Sequence, residues 1–478
     1  LREIHYPMRN YYPTRLVFTA VLFISLLWIN TVQAQAVPDL PTLMQRAVNK
    51  DAELANKQLD VEQSKDSRQA LSDAYLPRVS SMASYAYLNS SVNASLPSST
   101  FPILNIPIPA LDGSFNMHNN TWLANVSVKA LLFDGFKIGN YKKAITEKMK
   151  AQTVILENDR QIIIGKVSET YDMLALLKQS KVVLDNSGKQ LEAQSKIADK
   201  ALSYGLITKY EHKKIEVARA QLAAKLVEYD GKRNLVLKRL AQLTGTGTDT
   251  LQLIDNSLVP YLNVIPNQDV NNRPEFAALE AQDRAYNYQL KAKKNHLIPT
   301  AAAFGSVSYM SLNNLVFQNK AGTLGPNTGD VKLQMNKLEL FPTFIAGVGV
   351  KWDIFDGFES KHEIRKIKIE LQQVRNKKEE AKELLSLGLV KANTDYSIAT
   401  AQIAAKEKEK EVSLDALQIA TKEFRVGLIK PADLIAAITD SEKAELGYLE
   451  TVFNQRRAAD EAHKAAGNLT IDKFKSKK

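Results

Sequence analysis

The chain of 478 residues contains no cysteine. This excludes disulfides, thiolate metal sites, a cysteine nucleophile and a lipid-bearing N-terminal cysteine. Histidine is scarce. His5, His118, His212, His296, His362 and His463 are scattered and show no metal-ligand spacing. Phosphate loops, nucleophile elbows and dinucleotide fingerprints are also missing. The sequence therefore points away from an enzyme and implies neither cofactor nor metal.

Long apolar runs are nearly absent too. The exception, Leu16 to Ile29, is too short to span a bilayer comfortably. Met8, Arg9 and Arg15 precede or open it, and Val32-Gln33-Ala34 or Ala34-Gln35-Ala36 offers small residues for cleavage. Residues 1–36 thus read as an export signal with a few residues upstream of Met8. An exported chain with no apolar helix beyond its signal is either soluble or a membrane β-barrel. Negative charge is in deficit, with a formal net charge of +11. The lysines alternate with glutamates along helical stretches, and no nucleic-acid motif accompanies them, so they read as solvated helix faces.

Proline is missing from two long spans, Ile138 to Tyr204 and Glu359 to Lys430. Both are rich in Ala, Leu, Lys, Glu and Gln, which favour helix. Proline would interrupt such a helix, so each span predicts one helix of roughly 100 Å at ~1.5 Å per residue. Apolar residues recur at spacings of three and four, as in Ile155, Ile162, Val167, Leu174 and Leu177, which suits a coiled-coil-like wall.

What the sequence does have is a duplication. Thr121 to Phe136 reads TWLANVSVKALLFDGF and Thr343 to Phe358 reads TFIAGVGVKWDIFDGF, an offset of 222 with nine of sixteen positions identical. The same offset relates Glu53 to Glu275, Pro77 to Pro299, and Gly205-Leu206 to Gly427-Leu428. The expected organisation is therefore residues 37–260 as a first structural repeat and 261–478 as a second. Each repeat reads as helix, β-hairpin (78–133 and 300–355), very long helix, tight break, helix.

The strands alternate. Trp122, Ala124, Val126, Val128 and Ala130 share one face, and Asn125, Ser127 and Lys129 the other. In the second copy Phe344, Ala346, Val348, Val350 and Trp352 oppose Gly347, Gly349, Lys351 and Asp353. About ten such residues fit a water-filled membrane barrel, and periodicity alone fits a sandwich equally. Partner strands are expected at Arg78 to Leu88 and Thr300 to Leu312, with loops at 96–112 and 313–330. Two hairpins supply four strands, too few to close a barrel, so a barrel would need several chains. The alternative is a periplasmic coiled-coil scaffold or adaptor-like protein without a pore.

The ordered set of these features resembles the TolC family of outer-membrane export channels. It consists of the paired LFDGF and IFDGF strand ends (Leu132 to Phe136, Ile354 to Phe358), Leu76-Pro77 and Ile298-Pro299, Tyr204-Gly205-Leu206 and Val426-Gly427-Leu428. The resemblance covers nearly all of the chain after the signal. It implies an α+β homotrimer whose twelve-stranded transmembrane β-barrel, four strands per chain, continues into a long α-helical periplasmic tunnel. It further implies an outer membrane lipid environment, and as partners a periplasmic adaptor and an inner-membrane transporter. The function implied is a passive export duct for efflux or type I secretion. In such a channel the tips Tyr204, Gly205, Leu206, Val426, Gly427 and Leu428 would dock the adaptor. Asp433, Glu211, Phe424 and Lys430 would lie at the periplasmic entrance. The sequence departs from the family at the clasp, where Phe424 and Ile429 stand in place of a tyrosine and an arginine.

Overall fold

The computed structural model describes residues 37–101, 105–108, 111–262, 270–319 and 332–475. The expected export signal and the middle of each strand-connecting loop lie outside these residues.

The duplication is written into the element bounds. Helix α1 (Leu40–Lys50) and α2 (Ala52–Asp73) precede the first hairpin, whose long strands are β1 (Arg78–Leu96) and β4 (Leu111–Phe133), with the short β2 (Ser99–Phe101) and β3 (Ile106–Ile108) between them. There follow α3 (Lys137–Ser203), α4 (Lys209–Thr244) and the single turn α5 (Thr248–Gln252). The second copy is α6 (Pro274–Lys294), β5 (Thr300–Asn319), β6 (Lys332–Lys351), α7 (Glu359–Arg425), α8 (Pro431–Ala465) and the terminal turn α9 (Asp472–Lys475). Both long helices have 67 residues, and their first residues, 137 and 359, differ by the sequence offset of 222.

The chain forms two compact units that cut across the repeats. One comprises residues up to Ala55, Asp159–Gln268 and Leu387–Lys478, and the other Asn56–Asn158 and Asp269–Ser386. The first is helical. Its core holds Leu177, Leu184 and Leu191 from α3, Leu222 and Tyr229 from α4, Leu417 and Phe424 from α7, and Leu434 and Ile438 from α8. The spacing of seven in three of these helices is the seam of a coiled coil. Of the apolar residues that predict this wall, Val167, Leu174 and Leu177 are buried, whereas Ile155, in the other unit, is exposed in the single chain.

The second unit carries a four-stranded antiparallel sheet in the order β1-β4-β5-β6, beside the small β2-β3 ribbon. Its register joins the apolar faces of the two copies. Ser81 pairs with Val126, Val126 with Val307, and Val307 with Phe344. Tyr85, Trp122, Val128, Val348 and Val350 lie on the same face and are exposed. Hydroxyls and amides line the opposite face. The Ser80 and Ser127 hydroxyls are 2.9 Å apart, and Asn125 Nδ2 donates to Ser308 Oγ at 2.6 Å. From Trp122 to Ala130 the apolar stretch rises about 26 Å along the strand, or about 20 Å once tilted as barrel strands are.

The strands are twice as long as expected. They have 19, 23, 20 and 20 residues, so segments read as loop continue the ladder instead. Beyond Trp122 polar and apolar residues mix, with Asn120 opposite Tyr87, Asn119 opposite Leu88 and Asn89 opposite His118. Period-two alternation therefore disappears from the sequence while backbone pairing goes on.

The Asp-Gly-Phe that ends each hairpin is the turn its sequence suggests. Asp134 accepts a hydrogen bond from the Ile138 backbone N–H, and Asp356 Oδ2 accepts from Ser360 N at 3.0 Å. Each aspartate thereby caps the first turn of a long helix. Tyr75 donates to Asp134 Oδ1 at 2.9 Å, and burial together with this carboxylate pushes the phenol up to about 12. Gly135 has φ +71°, and a methyl there would sit 3.1 Å from Ile298 Cβ. Gly135→Ala should therefore cost about 1–3 kcal/mol through left-handed strain plus the collision. Gly139→Ala, a helical position open to space, should be neutral or stabilising by up to about 1 kcal/mol. Thermal unfolding of the two variants compares them, and equal midpoints would refute the assignment.

Candidate functional site: the helix-reversal tips

Two tight reversals in the helical unit carry most of the residues singled out from sequence. Gly205 (φ +72°) and Gly427 (φ +77°) both lie in the left-handed region. Leu206 N donates to Ala201 O at 2.8 Å and Gly205 N to Leu202 O at 3.0 Å. In the second tip Leu428 N donates to Glu423 O at 2.9 Å and Gly427 N to Phe424 O at 3.0 Å. These paired bonds are the Schellman arrangement, which satisfies the last carbonyls of a helix by a left-handed residue. In most such caps the apolar residue after glycine packs back on the helix. Here Tyr204, Leu206, Val426 and Leu428 are 71–78% exposed in the single chain.

The return helices begin differently in the two copies. Glu211 accepts from Thr208 N at 2.9 Å and from Thr208 Oγ1 at 3.1 Å, while Glu211 N donates to Thr208 Oγ1 at 3.1 Å. This reciprocal capping box holds α4 at its start. The Thr208 backbone N–H, then its hydroxyl, then the Lys430 ammonium hold the Glu211 carboxyl below its ordinary range. In the second copy Lys430 stands where Thr208 stands in the first, so no hydroxyl is available. Lys430 N donates to Asp433 Oδ2 at 3.2 Å, and Pro431 occupies the first helical position. Asp433 remains exposed. Thus Glu211, Asp433 and Lys430 all lie at helix starts beside the tips. Phe424 does not join them, because its ring packs into the apolar core with Leu417 and Leu434.

His212, next to Glu211, faces two carboxylates. Its Nε2 lies 2.6 Å from Asp199 Oδ1 and its Nδ1 3.4 Å from Glu216 Oε1. Among the described residues no group of three or more His, Asp or Glu side chains is placed to hold a metal ion.

One feature of this unit escaped the sequence. Arg456 forms a bidentate pair with Asp172, Nε to Oδ2 at 2.7 Å and Nη2 to Oδ1 at 2.8 Å, with both side chains buried. Arg456 Nη1 also donates to Val259 O at 3.1 Å. Beside it the fully buried Gln455 accepts from Tyr261 N at 2.9 Å and donates to Tyr261 O at 2.5 Å. The extended stretch around 254–262 is held by these side chains as a strand would be by a neighbour. A buried, doubly bonded ion pair of this kind costs several kcal/mol to break from one side.

The comparisons accord with this architecture. The outer membrane efflux protein family model matches residues 43–246 and again 265–468, the same offset of 222. The chain belongs to that family. It is 22% identical over 379 residues to the outer membrane efflux protein BepC of Brucella suis biovar 1, covering 77% of this chain and 78% of BepC. Its fold is similar to the outer-membrane channel OprN (TM-score 0.69, 14% identity, 90% of each chain). It is also similar to the Campylobacter jejuni outer membrane channel CmeC (TM-score 0.67, 15% identity, 90% of this chain and 85% of that one). The protein is thus an outer membrane export channel of the TolC type, and the pore-free scaffold reading falls away.

The capping box makes a pH prediction. Because the folded Glu211 is lowered, its contribution is present above the unfolded carboxyl value of about 4.3 and is lost as pH falls through the folded one. The amide protection factors of His212 and the next turn, measured against intrinsic exchange at each pH, should therefore fall on acidification in the wild type. Glu211→Ala should show the lowered protection factors already at neutral pH. Equal protection in both proteins would refute the role.

Proposed function

We propose that this chain is the outer membrane duct of a tripartite efflux or type I secretion system, working as a homotrimer. The observation that carries this is the sheet. Four strands end in unpaired edges, β1 and β6, and present a continuous exposed apolar face. In lipid an open edge leaves backbone groups unsatisfied, which costs several kcal/mol each. Three copies supply twelve strands, a number that closes into a water-filled barrel. The two repeats of each chain then alternate around the ring, and their helices line a periplasmic tunnel. The exposed apolar tips are the docking surface for a periplasmic adaptor, which couples the duct to an inner-membrane transporter. The duct itself is passive and performs no reaction. The transporter chooses the cargo, whether small molecule or protein.

Native mass measurement in detergent should give a trimer, and the same preparation should form conducting channels in planar bilayers. A monomer or dimer as the conducting species would overturn the proposal.

The entrance is assigned to the tips. Three copies of Asp433, with Glu211 and Lys430 nearby, form a charged ring around a narrow axis. Lys430 offsets part of the charge, and Asp433 is the exposed member of the acidic pair. A ring of carboxylates favours cations and binds polyvalent ones across its members. Asp433→Ala should weaken block by a trivalent cation by roughly tenfold or more, the effect of about 1.4 kcal/mol, with assembly intact. Identical block of wild type and variant in single-channel recordings would remove Asp433 from the entrance.

A further inference from the structure

The polar face of the sheet carries a charge pattern that the duct reading does not use. Lys129 and Lys351 are the same residue of the two repeats, 222 apart, and both project from the face opposite Trp122 and Val350. Arg78 pairs directly with Lys129 across β1 and β4. Like charges directly opposite each other destabilise a sheet pair, so this arrangement is not one that strand pairing favours. Among the described residues no carboxylate is paired with Arg78 or Lys129. Asp134 is taken by Tyr75 and the Ile138 backbone, and Asp356 by the Ser360 backbone. Lys351 is paired with Asp353 at 3.1 Å.

An apolar surface adjoins the cations. Phe304 pairs with Lys129 in register, on the same polar face, and is 42% exposed. Gly347 and Gly349 leave room for its ring, which would lie 3.1 Å from a methyl at Gly347. Met82, the repeat mate of Phe304, is exposed on the same face. Cations beside an exposed aromatic ring are complementary to a molecule that joins negative charge to an apolar body.

We infer that Arg78, Lys129 and Lys351, with Phe304 and Met82, form a binding collar for amphipathic organic anions on the water-filled side of the sheet. This rests on the barrel proposed above, in which the polar face lines the lumen. Repeat symmetry places Lys129 and Lys351 at one level of the ring, and Arg78 stands beside Lys129. Three chains then triple the set around one circumference. A low-dielectric wall strengthens the field of charges arranged in this way.

The test is single-channel recording of the whole protein with two added anions, naphthalene-1,3,6-trisulfonate and inorganic tripolyphosphate. Both should block the wild type. Lys129→Gln combined with Lys351→Gln should raise the half-blocking concentration of both by roughly tenfold or more. Phe304→Ser should raise it several-fold for the trisulfonate, the scale of one aromatic contact, and leave tripolyphosphate unchanged. The glutamine variant should assemble with undiminished heat resistance, since it removes a repulsion. Open channels with no block in wild type, or equal block in wild type and glutamine variant, overturn the collar and leave the duct standing. Equal losses for both anions in Phe304→Ser overturn the apolar part. Failure of the wild type to conduct overturns the duct and the collar together.

Discussion

The structure depends on one constraint, the need of strand backbones in lipid to pair on both sides. Each chain pairs β1 with β4, β4 with β5 and β5 with β6, and stops there. Among the described residues nothing supplies the missing neighbours, because the remaining long elements are helices. The proposed ring of three chains answers this by pairing each β6 with the β1 of the next copy. Duplication makes the same answer geometrically cheap. The β4–β5 pair inside one chain already joins the end of one repeat to the start of the next, and the β6–β1 pair between chains repeats that junction. A wall built from equivalent hairpins then needs only one kind of interface.

The second requirement is to convert a strand of period two into a helix of period 3.6 within a few residues. The Asp-Gly-Phe junction does so with three devices. Aspartate satisfies the orphan N–H groups of the first helical turn. Glycine takes the left-handed backbone. Phenylalanine follows it there, at φ +63° for Phe136 and +67° for Phe358, a conformation costly for a bulky residue. Their rings stack edge-on against Phe133 and Phe355 at 5.1 and 5.2 Å. The same edge-on ring contact thus accompanies the left-handed phenylalanine in both copies.

Much of this was legible in the sequence because the relevant forces are local. Proline-free spans gave the long helices, alternation gave the two faces of the strands, and a constant offset gave the duplication. The strand ends were not legible. Pairing there is a backbone property, and residues such as Asn89, His118 and Asn119 carry no apolar alternation to reveal it. The Arg456–Asp172 pair was hidden for another reason, since its members lie 284 positions apart and neither stands in a motif. At the tips the glycines and the acidic first-turn residues were visible from their spacing. The burial of Phe424 was not, because a phenylalanine seven residues after Leu417 reads equally as core seam or as a clasp position. In the single chain Phe424 lies in the seam with Leu417 and Leu434.

The two tips also show how a duplicated geometry can diverge in chemistry. Both reversals use the same glycine and the same pair of backbone bonds. The helices that follow are started by different means. In the first copy the start relies on an ionised Glu211 and the Thr208 hydroxyl. In the second it relies on Pro431, whose fixed φ requires no charge, and on the Asp433 carboxylate, which accepts from Lys430 N. Acid therefore loosens the first start while leaving the proline's contribution to the second untouched. Lys430 ties the two together, since its ammonium belongs to the second tip and acts on the carboxylate of the first. In a ring of three chains the two kinds of tip alternate. The chemistry of the helix starts would then repeat with threefold rather than sixfold symmetry, although the backbone that builds them is nearly the same at all six.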